Sequence, residues 1–584
     1  MKRRLLPMMM TLVLVCALPI WAAFVTSGDV TNPLVCTAWA DTAEGERNSG
    51  TTQGTFTEVT DETTLKKAVA DGKSVRMTRD ITLTSSLYIE KAVTLDMDGH
   101  MLTRMHTYEY DMVVIRSDAT LTLIDSNTGN LQHRFNAGET GWTKAADNAT
   151  GDGIVTVTGG VIYGDAGSNI INPCGIKILK GKLEMYGGSI VGIRNDYNAN
   201  GGGVYVSDQC TFNMYGGSIK GCYVFSDGGG VYVAAGGTFT MSGSSAITNC
   251  KGSRGGAVYN AGTFTMRDNS HIADCIYISS IAGGGGVHNK GTFNVEGGSI
   301  TGSVNDHNRE QSSDDICIEG TLNAGITIAC NVNVVDGGTI SKGTFTGRVW
   351  IYSEGTILDG TFANEVINYE GRIKAGEFTG KIENSYGKID GGTFRGSVTS
   401  SGYNAIISDG NFHGTVTNES GATISGGTFD ENVTNKTYAI LNGGIFYGGV
   451  TNDGGKIEDG AYETVKFNSD NGAQAKEEKV LRGQKVAKPT DDPTKSGYTF
   501  IGWEDADGAG AYDFNTPVTA PLTLTAKWEK VPSSGGYYYY QPTTDTKTDD
   551  AKGSPKTADP GVALYAALSL LSLTGMVALN GKKR

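Results

Sequence analysis

Between residues 336 and 463 an aromatic side chain returns every 16 to 18 positions, at Phe345, Phe362, Phe378, Phe394, Phe412, Phe429, Phe446 and Tyr462. Most are followed by x-Gly-x-Val or x-Gly-x-Ile, as in Phe394-Arg395-Gly396-Ser397-Val398 and Phe412-His413-Gly414-Thr415-Val416. Alternation with period two predicts that Phe, Gly and Val face inward together while the residues between them face water. A second inward position is expected 11 to 12 residues past the aromatic, at Ile357, Ile373, Ile389, Ile424, Ile440 and Ile457. The pattern predicts a thin, two-sided β-solenoid over 336–463, whose coils at ~4.8 Å spacing span roughly 38 Å. Such a stripe also suits an exposed glycan-stacking track, but its shared parity with Val and Ile assigns it to the core.

A longer period of about 27 residues precedes it. Gly201-Gly202-Gly203-Val204-Tyr205 returns at Gly228, in altered form at Gly255, and as Gly284-Gly285-Gly286-Val287-His288. Each copy leads to a Thr-Phe strand (Thr211-Phe212, Thr238-Phe239, Thr263-Phe264, Thr292-Phe293) and, past a glycine-rich turn, to Ile219, Ile247, Ile272 or Ile300. Three short strands and three turns per repeat describe one coil of a right-handed parallel β-helix, expected over 54–335. Equivalent residues then stack on successive coils. Cys222, Cys250 and Cys275 each lie three residues past their Ile and form such a row, compatible with a disulfide between neighbours and, more simply, with stacked buried thiols. Asp227 and Arg254 both precede a glycine run and are expected to meet as an exposed ion pair worth about 0 to 1 kcal/mol.

Upstream, Glu62 to Asp71 is amphipathic and predicts a helix closing the open end of the solenoid core. Strands are expected at Ser74–Met77, Ile81–Leu83, Ala92–Leu95 and Leu121–Ile124. The phrase Val93-Thr94-Leu95-Asp96-Met97-Asp98-Gly99-His100 is similar to the opening coils of pectate-lyase-like β-helix proteins, where a strand turns at Asp-x-Asp-Gly. That resemblance implies a fold, not an activity.

Residues 464–530 read as short alternating strands around a Trp-Phe-Tyr core, punctuated by Pro and Gly. Val465-Lys466-Phe467, Gly497-Tyr498-Thr499-Phe500-Ile501-Gly502-Trp503, Tyr512-Asp513-Phe514 and Leu522-Thr523-Leu524-Thr525-Ala526-Lys527-Trp528 resemble the Listeria-Bacteroides repeat, the internalin-type B repeat. The resemblance implies a small β-grasp-like module for display or adhesion, with Gly497, Tyr498, Phe500, Gly502, Trp503 and Trp528 as its signature. One copy suits a spacer. Residues 531–553, rich in Ser, Gly, Thr and Asp, suit a flexible wall-crossing linker, interrupted by Tyr537 to Tyr540.

Both ends read as helical targeting segments. Lys2, Arg3 and Arg4 precede an apolar run from Leu5 to Val25, the pattern of an export signal over 1–40, with small-x-small cleavage at Ala38 and Ala40 before Asp41. Ser554-Pro555-Lys556-Thr557-Ala558 precedes an apolar run over 561–579 and then Lys582, Lys583 and Arg584. A run of that length crosses a bilayer core, and the basic tail holds its end in the cytoplasm. The arrangement resembles the LPxTG-like sorting signals of Gram-positive surface proteins, with Ser for Leu and Ala for Gly. It implies that a sortase cuts after Thr557 and joins the chain to peptidoglycan, after transient membrane insertion through 554–584. A plain membrane anchor is the alternative.

Composition removes several function classes. The 84 glycines follow no Gly-X-Y period, which excludes collagen. A formal charge of −14, with both terminal segments net positive, leaves the remainder strongly acidic and a poor match for nucleic acid. Of nine cysteines, seven remain beyond Cys16 and Cys36, with no CxxC pair, so neither a zinc site nor a complete disulfide framework is indicated. Parallel β-helices host polysaccharide lyases and hydrolases, which need paired carboxylates or a carboxylate with a cation. The Asp-Asp, Gly-His-Gly and Arg-x-Lys set of polygalacturonases is absent from the 27-residue coils, and Arg372-Ile373-Lys374 falls in the thin ones. Asp196, Asp208 and Asp227 read as turn residues, His271 and His288 as loop or surface residues, and the recurrent glycine runs as turns rather than phosphate cradles. In the enzyme alternative the irregular stretch 136–172 and the insertions at 194–200 and 305–313 would wall a cleft. The sequence therefore predicts an all-β chain with no catalytic residue, cofactor or metal. Its expected role is an extracellular, wall-anchored adhesin presenting the β-helix to a glycan or protein. A passive stalk and a polysaccharide lyase or hydrolase are the alternatives.

Overall fold

The computed structural model describes residues 55–532, apart from 106–109, 128, 130, 139, 165–173, 196–198, 280–282, 306–314 and 509. The export segment, nearly all of the linker and the sorting signal lie outside the described residues. What is described is nearly all β, with one α-helix and one 3-10 turn. The chain divides into a solenoid unit, Met1–Tyr462 with Leu481–Gly483, and a second unit, Glu463–Val480 and Gln484–Arg584.

The helix at Glu62–Ala70 starts where Asp61 accepts the Thr64 amide at 2.9 Å, the side-chain cap that an N-terminal turn requires. It buries Leu65, Ala68 and Val69 in the solenoid core and stops at Asp71. Glu62 accepts from the Thr84 amide and hydroxyl and from Lys66. Burial raises its pKa, but these donors outweigh burial and bring it down to about 2.

Beyond the helix, parallel strands stack coil on coil. A 24-stranded and a 16-stranded sheet run along the unit, while an 8-stranded sheet and a short 5-stranded one end at Ser299–Thr301 and Val304–Asn305. In the wide coils Phe212, Phe239, Phe264 and Phe293 are in register, with rings nearly parallel at 4.7 to 4.9 Å. Ile219, Ile247, Ile272 and Ile300 are buried on a second side. Cys222, Cys250 and Cys275 are buried free thiols, and burial pushes the pKa of Cys222 and Cys250 well up.

The narrowing happens at Thr321–Ile328 and Thr339–Phe345, where the long sheet shifts register. From there it carries two short strands per coil, such as Thr356–Ile357 and Thr361–Phe362. The thin coil is therefore three-sided, not two-sided. Phe394 belongs to the long sheet and Val398 to the 16-stranded one, so the glycine between them marks a bend rather than a shared face. Seven phenylalanines, Phe345 to Phe446, stack at 4.7 to 5.1 Å within 11° of parallel, as core residues. Tyr462 is only partly buried. The aliphatic row contains Ile407 and Leu441; Ile440 pairs with Thr423 in an outward row instead.

Inside the thin coils runs a row of amides. Asn368 donates to Asn384 (2.7 Å) and Asn384 to the Ser400 hydroxyl (3.1 Å); Asn418 donates to Asn435 (3.0 Å) and Asn435 to Asn452 (2.9 Å). The serine interrupts the chain of donors, and the Asn418 carbonyl oxygen below it is buried without a partner, as is that of Asn368 at the head of the first run. Ser400→Asn is expected to join the two runs and stabilise the solenoid by about 1 kcal/mol, read as a higher denaturant midpoint. A lowered midpoint would mean the site has no room for the amide.

The stretch 136–172 is not irregular where it is described. Gln132–Gly138, Gly141–Lys144 and Ile154–Thr158 form an antiparallel sheet, because Phe135, Trp142 and Val157 bury themselves against Met101, Val161, Tyr163 and Val191 on the outside of the coils.

In the second unit's sheet the strand order is Lys476–Leu481, Tyr462–Asn468, Leu522–Lys530, Tyr498–Glu504. The middle pair is parallel and the last antiparallel. Val465, Phe467, Trp503 and Leu524 form the core, flanked by Phe500, Tyr512 and Trp528.

Candidate binding surfaces

In the wide coils, the acidic side chains hold turns. Asp96, fully buried, accepts from Arg76 Nε at 2.8 Å and from the Asp98 and Ser126 amides at 3.1 and 2.9 Å. It thereby fixes a turn in which Asp98 and Gly99 are left-handed, φ +44° and +82°. Asp125 accepts the Gly99 and Gly160 amides, both at 2.7 Å. Asp227 and Arg254 meet as expected and bidentately, at 3.0 and 2.7 Å. The pair is less exposed than expected: Asp227 is buried, and Arg254 lies 5.1 Å over the Tyr259 ring, which shields it. Asp208 is exposed at its turn, and Asp196 is outside the described residues. Among the described residues no three His, Cys, Asp or Glu side chains are placed to hold a metal ion.

A row of rings decorates the outside of the 16-stranded sheet. Tyr205, Tyr232, Tyr259 and His288 are in register and stack at 5.1 to 5.2 Å within 15° of parallel. Their faces cover one another, and burial pushes the Tyr259 hydroxyl up to about 12. His288 is fully buried, not a loop or surface residue, because Tyr259 covers its face and Glu319 lies 2.8 Å from its Nε2. His271 is half-buried on a different sheet, and burial lowers its pKa.

The His288 ring beside it lowers the Glu319 carboxyl most; burial opposes it, and Lys290 at 2.5 Å adds to it, leaving the group at about 2 against a usual 4.5. A depressed carboxyl contributes stability in full above its unfolded pKa and loses it as pH falls through the folded one. The gap in unfolding midpoint between wild type and Glu319→Gln is therefore expected to shrink from pH 4.5 to pH 2. A gap that stayed constant would show that the carboxylate adds nothing.

Where the antiparallel sheet meets the coil corner there is a cavity of about 200 Å³, lined among others by Trp142, Asn249, Lys251 and Asp274. The segment 305–313 lies almost wholly outside the described residues, as do 196–198 of the other insertion.

A second ring series, on the thin coils, escaped the sequence reading. Tyr369 ends a strand of the 16-stranded sheet, and Tyr352, Tyr386, Tyr403 and Tyr438 stand one or two residues past theirs; all five are between 37% and 79% exposed. Their contacts are tilted: Tyr352 and Tyr369 meet at 6.3 Å and 51°, Tyr369 and Tyr386 at 5.7 Å and 71°. A Cβ on Gly402 would come within 2.6 Å of the Tyr386 ring, and one on Gly421 within 2.5 Å of Tyr403, so each ring lies on a glycine of the next coil. The 17-residue spacing of the first four was the available signal.

Of the signature residues, Trp503 is buried, with Phe467 and Phe500 edge-on to it at 5.1 and 5.5 Å. Trp528 meets Phe500 at 5.7 Å and donates to the Ser469 carbonyl at 3.0 Å. Gly497 and Gly502 are at φ +80° and +147°, and Tyr498 is exposed beneath Lys495. Ala38, Ala40 and Ser554 to Ala558 lie outside the described residues. No helix among those described is long and apolar enough to cross a membrane.

No curated protein and no solved structure matches the chain. Residues 464–527 match the Listeria-Bacteroides repeat domain, so the chain carries that domain after a parallel β-helix.

Proposed function

We propose that the chain is an extracellular surface protein, joined by a sortase to peptidoglycan through Thr557, that displays its solenoid as an adhesin for a glycan or protein. The observation that carries this reading is the order of parts. A parallel solenoid precedes a Listeria-Bacteroides repeat, and Ser554–Ala558 follow it, ahead of an apolar span and a basic tail. In this reading the coils are right-handed, as in pectate-lyase-like β-helices, and the repeat is β-grasp-like. The segment 1–40 is removed on export, and 531–553 crosses the wall.

Expression in a sortase-bearing Gram-positive host tests it. Wild type is expected in the wall fraction, released by muramidase as a ladder of fragments. Thr557→Ala is expected to move it to membrane and medium. Wild type found only in the membrane or medium overturns wall attachment.

A further inference from the structure

Two tyrosines of the thin coils stand at backbone angles that suit a smaller residue. Tyr386 has φ +59° and Tyr438 φ +69°, the left-handed region in which glycine and asparagine are at ease and a bulky side chain is an outlier. Both are well exposed, Tyr438 at 74%, so burial returns little for that strain. Strain retained at an exposed position points to a task other than folding.

Their placement suggests the task. Tyr352, Tyr369, Tyr386 and Tyr403 occupy four successive coils, hence stand about one strand spacing (~4.8 Å) apart along the solenoid axis. The series skips Ser420, itself at φ +55°, and resumes at Tyr438. Tyr386 and Tyr403 each rest one face on a glycine and turn the other outward. The outer rings of the wide coils, stacked face to face, have no face to offer. Exposed Glu354, Glu370 and Asn404 flank the tyrosines with hydrogen-bonding oxygens and an amide. One tyrosine per coil over four successive coils suits a polymer with its own short repeat better than the curved surface of a globular protein. The carboxylates and the acidic chain repel a polyanion.

We infer that this stripe binds a neutral β-linked polysaccharide lying along the solenoid. Pyranose C–H faces pack on Tyr352, Tyr369, Tyr386 and Tyr403, and sugar hydroxyls bond to Glu354, Glu370 and Asn404. The inference rests on the adhesin reading and gives it a ligand class and a location.

Affinity electrophoresis of the full chain through gels containing mixed-linkage β-glucan, hydroxyethyl cellulose or polygalacturonate tests it. Retardation is expected in at least one neutral glucan and not in polygalacturonate. The triple variant Tyr369→Ala, Tyr386→Ala, Tyr403→Ala is expected to weaken retention about tenfold or more, with circular dichroism and unfolding midpoint unchanged. Ser420→Tyr, which fills the gap at a backbone angle its neighbours already use, is expected to strengthen it about threefold. Wild type unretarded by both glucans, or a triple variant retained like wild type, overturns the inference. Capture of a protein ligand without glucan binding overturns it too but leaves the adhesin reading standing, whereas loss of wall attachment is read separately by fractionation.

Discussion

Phe394→Ala is expected to destabilise the thin solenoid by about 3 to 5 kcal/mol. The ring is fully buried and stacks on Phe378 at 4.8 Å and on Phe412 at 4.7 Å. The neighbours cannot close the gap, because strand pairing fixes their spacing. A Cβ on Gly392, at φ +116°, would come within 3.2 to 3.3 Å of the Phe394 and Phe378 rings, so the rings already fill the space beside that glycine. In a solenoid each coil is held only by the coils on either side, so the loss falls on two interfaces at once. Denaturant unfolding measures the size, and amide exchange should show the first opening at the strands around 394. A loss below about 1 kcal/mol would mean that the coils slide together after all.

Asp96→Ala is expected to cost about 3 kcal/mol. It strips a buried acceptor from the Asp98 and Ser126 amides and from Arg76, and each of the three hydrogen bonds lost is worth about 1 kcal/mol. Asp96→Asn keeps one acceptor oxygen and is expected to lose less. Thermal unfolding of both variants gives the comparison; equal losses would show that volume matters here rather than acceptance.

The repeats were legible because a core ring or aliphatic residue must return once per coil. Register within a coil was harder to read. Counting 11 or 12 residues forward from each aromatic led to Ile440, since the turn in between varies in length. Counting five back from the next Phe leads to Ile357, Ile373, Ile389, Ile407, Ile424 and Leu441 without exception, and these are the buried ones. A slip of one residue turns a side chain to the other face. The third side of the thin coil was hidden because Phe-x-Gly-x-Val keeps its parity through the bend. His288 occupies the outward place its parity predicts; its burial comes from Tyr259 and Glu319, which lie on other coils. The exposed tyrosines answer to no core constraint, so core periodicity does not point to them, although the 17-residue spacing of the first four is in the sequence.

Parallel coils join through backbone hydrogen bonds that lie along the solenoid axis. Tension on that axis therefore meets them one coil at a time, like opening a zip, and not as a side-by-side row sheared together. A thin coil of about 17 residues would release roughly 50 Å of chain as it peels away. Under load the thin section would then yield in small, even steps, each leaving the remaining coils intact, so that it pays out length as a graded tether.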